Sequence, residues 1–437
     1  MEKRRVWPPP PPASLWAATA IPPPSNSPIN GDRTADVAIV GAGYTGLSAA
    51  LHLAQMGQKV IVLEASEPGW GASGRNGGQI IAGLKHDPDK LNTILGPDLG
   101  SRMTQEFGGS ADLVFSLIDR YGIDCNARRS GWIQGAHGKK VFEEIVVPRC
   151  RQWAAHGVGA RLLDKTEMAA LIGSSSDAYY GGWLDPRGGV LQPLSYARGL
   201  AKAAIQEGAK IFSHSPVQAL RRSGDSWEIT AAGGRVRAAR AILATNAYTD
   251  KLWPGLRRTV IPVASFQTAS RPLPASIRDT ILPGGQGVAD TRRLLLYFRL
   301  DHEGRLVMGG RSPVDDAPRF EDARTLRAAI ERIFPQAAEV PLEFVWSGKV
   351  AITKDTLPHM HVLAPNLYAA LGCNGRGVAA CTVIGRLLAR LASGAQPEEI
   401  PFPVTAPQPI PLHAFRKLAV FTLSQWYRVL DGLEART

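Results

Sequence analysis

Residues 35–64 read ADVAIVGAGYTGLSAALHLAQMGQKVIVLE, with Gly41, Gly43 and Gly46 in GAGYTG and Glu64 eighteen positions after the last glycine. Glycines at this spacing permit a tight turn, let main chain approach a pyrophosphate, and let a following helix close against the preceding strand. Glu64 can accept the hydroxyls of an adenosine ribose, where a hydrogen bond to a charged acceptor contributes about 1.5–3 kcal/mol. The same carboxylate repels a 2′-phosphate, which disfavours NADP. Tyr44, Thr45 and Ala65 share the turn and the strand end, and join these residues as candidate cofactor contacts.

Five residues beyond Glu64 the chain reads GWGASGRNGGQ (69–79), five glycines in eleven positions. A nicotinamide enzyme has no evident need for such a stretch after its second strand. A flavin does, because bare main chain can lie against a large planar ring and offer N–H groups to ring carbonyls and nitrogens. Ala72, Ser73, Arg75, Asn76, Gly77, Gly78 and Gln79 are therefore candidate FAD contacts, with Ser73 and Arg75 as donors to phosphate or flavin oxygens.

These residues need a strand–turn–helix–strand frame. Residues 37–40 form a short apolar run of the kind expected for a strand buried on both faces. Leu47, Leu51 and Ala54 then recur at helical spacing, Gly57 is a helix stop, and 59–63 make a second apolar strand. Further on, 189–212 hold a helix, while 215–220, 226–245 and 367–377 read as strands returning to the first domain. YFRLDHEGRLVMGG (297–310) reads as a hairpin turning at His302, Glu303 and Gly304.

GAGYTG, LEA (63–65) and GASGRNGGQ (71–79) resemble the N-terminal signature of FAD-dependent amine oxidoreductases of the D-amino-acid-oxidase-like superfamily, the gamma-glutamylputrescine oxidase family above all. SLWAATA (14–20), AILATNAYTD (241–250) and ALGCNGRGVAACTVIGRLLA (370–389) agree, so the resemblance runs from about residue 14 to the end. It implies an α/β chain: a Rossmann-type FAD domain (glutathione-reductase-like) interleaved with an α+β substrate domain built on an antiparallel sheet. The expected FAD domain is 33–80, 191–251 and 346–395, and the substrate domain 81–190 and 252–345. A Pro-rich extension (1–32) precedes them and a tail with a helix (396–437) follows. The resemblance adds Val217, Thr245, Asn246, Gly372, Asn374, Gly375, Arg376, Gly377 and Val378 as cofactor contacts. Where relatives usually read S-G-H-G, this chain has Asn374-Gly375-Arg376-Gly377, and where they often have His-Pro it has Gln192-Pro193. Some relatives attach FAD through a cysteine; the matching stretch 348–361 contains none, so non-covalent FAD is expected.

The implied chemistry is hydride transfer from the carbon beside nitrogen to flavin N5, imine hydrolysis, and reoxidation by O2 or another acceptor. Only a neutral amine can donate, and no residue presents itself as a catalytic base. Trp70, Tyr297 and Trp346 are candidate pocket walls; Arg299 or Arg376 could hold a substrate carboxylate. A dehydrogenase of an N-methylated or cyclic amino acid, or a non-catalytic RNA-associated flavoprotein, are the alternatives.

Composition sets the bounds. The 437 residues carry 50 Lys+Arg against 38 Asp+Glu, a net charge of +12, but in isolated pairs and not in a stripe interleaved with aromatics. A nucleic-acid surface is therefore not expected, while a field favouring anionic ligands is. The four cysteines are scattered without a CxxC pair, as in a reducing cytoplasm, and no metal site is expected. The basic N-terminus is not followed by a signal-length apolar run, and no stretch is long enough to span a membrane. Cytoplasmic localisation follows; oligomeric state is open.

Overall fold

The computed structural model describes residues 13–311 and 319–435; the proline run at 8–12 lies outside them. The strand Arg33–Val40 emerges from solvent and is buried over its last four residues. It pairs in parallel with Val60–Leu63 on one side and Gly234–Leu243 on the other. Lys210–Phe212 and Leu367–Leu371 extend the parallel core outward, and the hairpin Val217–Ser223/Ser226–Ala231 hangs antiparallel on Gly234–Leu243. His359–Ala364 and Val404–Thr405 complete a nine-stranded sheet. The last pair draws on residues of the expected tail.

The helix Tyr44–Gln55 packs on this sheet with Pro193–Gln206 and Gly377–Ala392 beside it. Gly46 sets the closest approach: a Cβ there would lie 2.0 Å from the Gly41 carbonyl oxygen, so any side chain would push helix from turn. Gly41 has φ +103°, the left-handed region that glycine tolerates.

The second sheet has eight strands, ordered Leu342–Ile352, Ile261–Pro272, Arg305–Arg311, Tyr297–Leu300, Gly287–Asp290, Trp132–Ala136, Gly181–Asp185 and Arg161–Leu163. All neighbours are antiparallel except Gly287–Asp290 with Trp132–Ala136, which run parallel. The 297–310 hairpin forms with Gly304 at φ +78°.

Two boundaries read from the sequence differ from this architecture. Leu342–Ile352 belongs wholly to the second sheet, so a division at 346 cuts a strand. The helices Pro88–Leu95, Pro97–Gly108 and Ser110–Tyr121, expected on the substrate side, bury Leu91, Met103, Phe107, Val114 and Ile118 in the core of the first sheet. The apolar faces of Pro97–Gly108 and Ser110–Tyr121 lie against Gly377–Ala392, a contact that periodicity announces but cannot assign.

Candidate active site

The first turn is built as its spacing requires. Glu64 accepts the Ala42 N–H at 2.7 Å on one carboxylate oxygen and the Ser66 N–H at 3.0 Å on the other. Burial raises its pKa, and these N–H groups oppose the rise. Glu64 is half-buried, and the remaining lone pairs of its carboxylate can accept ribose hydroxyls. Ser73 reaches back to the turn, its Oγ accepting the Tyr44 N–H at 3.0 Å, and is the nearest atom a Cβ on Gly43 would meet. The helix N-terminus thus opens beside a glycine with room next to it, the arrangement that suits a pyrophosphate. These residues fit the expected dinucleotide.

The Gly-rich loop is held from the other side. The Arg75 carbonyl accepts the Trp346 Nε1–H at 3.0 Å and a Gln267 amide N–H; the Asn76 carbonyl accepts the Trp16 Nε1–H at 2.8 Å; Arg299 donates to the Gly78 carbonyl at 3.0 Å and the Leu191 carbonyl at 2.9 Å. A Cβ on Gly77 would lie 2.7 Å from the Tyr297 ring, and one on Gly78 2.2 Å from the Leu191 carbonyl oxygen. Those two glycines make room for protein atoms, not for a ring system.

Several candidates consequently change role. Arg299 is 4 % exposed, its Nη1 donates to both backbone carbonyls and its guanidinium lies 5.0 Å from the Trp16 ring, so burial keeps it from an open substrate site. Trp346 is not a pocket wall: at 1 % exposure it lies in a core with Leu15, Trp16 and Val307, its ring edge-on to Trp16. Asn76 braces its own loop, donating to Ser73 O and Tyr44 Oη and accepting the Gly78 N–H. Gln79 ties the loop to the second sheet through the Val288 and Phe298 carbonyls and the Trp132 indole. The Tyr44 hydroxyl donates to the Pro193 carbonyl, and Asn374 folds onto Thr353 and Gly372, so these side chains are scaffolding. Asn246 accepts the Gly372 N–H at 2.9 Å and so joins two of the expected cofactor stretches directly. Thr245 bonds Thr249, while Gly375 is exposed at φ +85° with open space around it, next to Gly377 and Val378 at the start of a helix. Tyr297 donates to or accepts from Ser265 Oγ at 2.8 Å, and Trp70 sits between Tyr248, ring centroids 5.9 Å apart, and the Arg75 guanidinium at 4.3 Å.

The residue that the sequence reading missed is Lys85, in IIAGLKHD directly after the loop. Lys85 is solvent-exposed as a residue, yet the protein packed around its ammonium, then Arg376, Arg149 and Arg311, press its pKa down to about 7; Cys373 opposes. Arg149 is committed to Asp87 at 2.6 Å and to Gln134. Arg376 donates to the Ala82 carbonyl at 2.8 Å and lies 5.4 Å over Trp132; burial leads the causes that lower it to about 9. Among the described residues Lys85 has neither a carboxylate nor a hydrogen-bond partner. An isolated lysine in an apolar-small stretch is a weak signal by itself. Only the fold brings the other cations to it.

Residues 36–391 match the family described as FAD dependent oxidoreductase, DAO. The chain is 34% identical over 372 residues to the "Probable oxidoreductase OrdL" of Haemophilus influenzae, covering 84% of this chain and 85% of that one. It is 33% identical over 390 residues to the "Gamma-glutamylputrescine oxidoreductase" of Escherichia coli, covering 87% and 89%. Among solved structures, glycine oxidase from Geobacillus kaustophilus superposes with TM-score 0.70 at 22% identity, covering 83% of this chain and 96% of that one. L-proline dehydrogenase from P.horikoshii does so with TM-score 0.72 at 18% identity, covering 85% and 96%. The two-sheet α/β fold is that of these proteins.

Proposed function

The chain belongs to the DAO family of FAD-dependent oxidoreductases, and from that premise we propose that it oxidises the C–N bond of a primary or secondary amine whose far end carries a carboxylate, as in gamma-glutamylputrescine. Bound non-covalently, FAD supplies the acceptor for a hydride leaving the carbon next to nitrogen. The turn at Gly41, Gly43 and Gly46 with Ser73 would hold its phosphates and Glu64 its ribose. The loop around Gly77, pinned by Trp346, Gln267, Trp16 and Arg299, would orient the ring. The nitrogen loses a proton as the hydride leaves, which yields an imine that water hydrolyses to a carbonyl compound and the released amine or ammonia. O2, reduced to H2O2, is the electron acceptor in this reading.

One observation carries the choice of substrate: among the described residues Lys85 has no acid to pair with, and Arg376, Arg149 and Arg311 are the charges that press on it. Cations there attract an anionic group and disfavour an ammonium. They therefore hold a carboxylate while lowering the pKa of a bound amine, whose free value is about 10.4 for an alkylammonium like that of lysine. The neutral donor arises without a dedicated base. The support from relatives is the similarity to the gamma-glutamylputrescine oxidoreductase of Escherichia coli, at 33% identity.

The test is a visible spectrum of the purified protein, then anaerobic mixing with gamma-glutamylputrescine, putrescine, N-acetylputrescine, sarcosine and proline. Bleaching of the flavin by gamma-glutamylputrescine well ahead of the others, with H2O2 formed in air, supports the reading. Bleaching by sarcosine or proline alone, with dye reduction replacing peroxide, overturns it.

A further inference from the structure

The C-terminal helix Arg416–Glu434 is fastened at its two ends. Ahead of it, His413 Nε2 donates to the Val260 carbonyl at 3.0 Å. At its far end Asp431 accepts the Arg293 and Leu294 N–H groups, each at 3.0 Å, and Glu434 receives the Arg293 guanidinium at 2.6 and 2.8 Å. His137 lies 3.3 Å from Glu434 in the same cluster. Between these points Arg416, Val420, Ser424, Tyr427, Leu430, Asp431 and Glu434 are the less exposed positions and form one stripe toward the body.

The opposite face is apolar and bare. Phe415, Leu418, Trp426, Val429 and Leu433 repeat at helical spacing there, with Phe421 on the flank, each between 53% and 65% exposed. A soluble helix ordinarily presents the reverse pattern, and a contiguous apolar face of this length marks a docking surface. Both acids of the helix are used by Arg293. Its other charged residues, Arg416, Lys417 and Arg428, are all basic, and Lys417 and Arg428 lie on the exposed flank of the apolar face.

We propose that this helix seats the enzyme in the plane of an anionic lipid surface, apolar face down. A basic amphipathic helix with Trp, Phe and Leu on one side has the composition that lies at a headgroup boundary. Trp426 brings both an apolar body and an N–H for that boundary. The charge pattern favours lipid over a second copy, because two such helices face to face would bring basic flanks together with no uncommitted acid between them. The net charge of +12 acts in the same direction. Among the described residues no helix is long and apolar enough to cross a membrane, so the association is peripheral. It stands apart from the amine reading and requires no turnover.

The experiment uses the full-length holoenzyme and sedimentation with vesicles of phosphatidylcholine alone or with about one third phosphatidylglycerol. The expected result is sedimentation with the anionic vesicles only, weakened in high salt, and reduced tenfold or more in L418E/V429E with flavin content and amine turnover retained. A second readout does not depend on that variant folding: brominated phosphatidylglycerol should quench a component of tryptophan emission that W426F lacks. No sedimentation, or sedimentation indifferent to L418E/V429E and to salt, overturns the proposal. So does a dimer in analytical ultracentrifugation that the same double substitution dissociates, since a second copy would then cover the face.

Discussion

Replacing Lys85 by methionine keeps the length of the side chain and deletes one cation from a cluster where Arg376, Arg149 and Arg311 remain. If a substrate carboxylate sits against Lys85, the variant loses a charge-assisted hydrogen bond of about 1.5–3 kcal/mol. At about 1.4 kcal/mol per decade, kcat/KM should fall roughly 10- to 150-fold for gamma-glutamylputrescine. N-acetylputrescine has the same reacting aminobutyl end without the carboxylate, and should lose little. The pH dependence supplies a second signature. Because Lys85 titrates at about 7 in the folded protein, the preference for the carboxylate substrate should decline above neutrality, be flat with pH in K85M, and persist to higher pH in K85R. Stability moves the other way. The folded pKa lies below the unfolded value, so the unfolded chain binds more protons between about pH 7 and 10.5. The cost of holding this cation beside Arg376, Arg149 and Arg311 is therefore full below pH 7 and fades as the pH rises toward 10.5, and solvent at the exposed Lys85 keeps it small. K85M should accordingly raise Tm more at pH 6 than at pH 9. Steady-state kinetics with the substrate pair at several pH values decides the matter: an unchanged ratio of kcat/KM between the two amines in K85M would refute the placement of the carboxylate.

Three further outcomes test the cradle and its supports. Gly46→Ala places a Cβ 2.0 Å from a backbone oxygen that cannot swing away; overpacking of this kind costs about 1–3 kcal/mol or more, so Tm and flavin content should both drop, while Gly432→Ala, with open space around it, should leave them unchanged. Glu64→Gln should weaken FAD binding at least tenfold, from the loss of a charged acceptor worth about 1.5–3 kcal/mol, measured by flavin fluorescence on titrating the apoprotein. Arg299→Met leaves the Gly78 and Leu191 carbonyls without their donor and should destabilise by about 1–3 kcal/mol in denaturant unfolding; a raised KM with undiminished stability would restore it as a substrate ligand.

The strand–turn–helix around Gly41 and the presence of the second glycine cluster were legible because their causes are local. Turn geometry, close backbone approach and period-3.6 burial act over a few residues, so residue type at a spacing determines them. The 297–310 hairpin and the helix within 189–212 were readable on the same ground. What the tertiary structure alone decided is the division of labour inside those clusters. Gly77 and Gly78 read as faces for a ring, yet Tyr297 and Leu191, far along the chain, occupy the space that their missing side chains leave. Arg299 and Trp346 looked like substrate contacts because a charge or a large aromatic on a strand asks for a partner. Their partners proved to be carbonyls of the Gly-rich loop, supplied from another part of the chain. Lys85 is the converse: an ordinary lysine by its neighbours, distinguished only when the fold gathers Arg149, Arg311 and Arg376 around it with no acid paired to it among the described residues. A sequence states which groups are available over a turn or two. Which of them face a cavity, and which are spent on the backbone, depends on long-range packing that no spacing encodes.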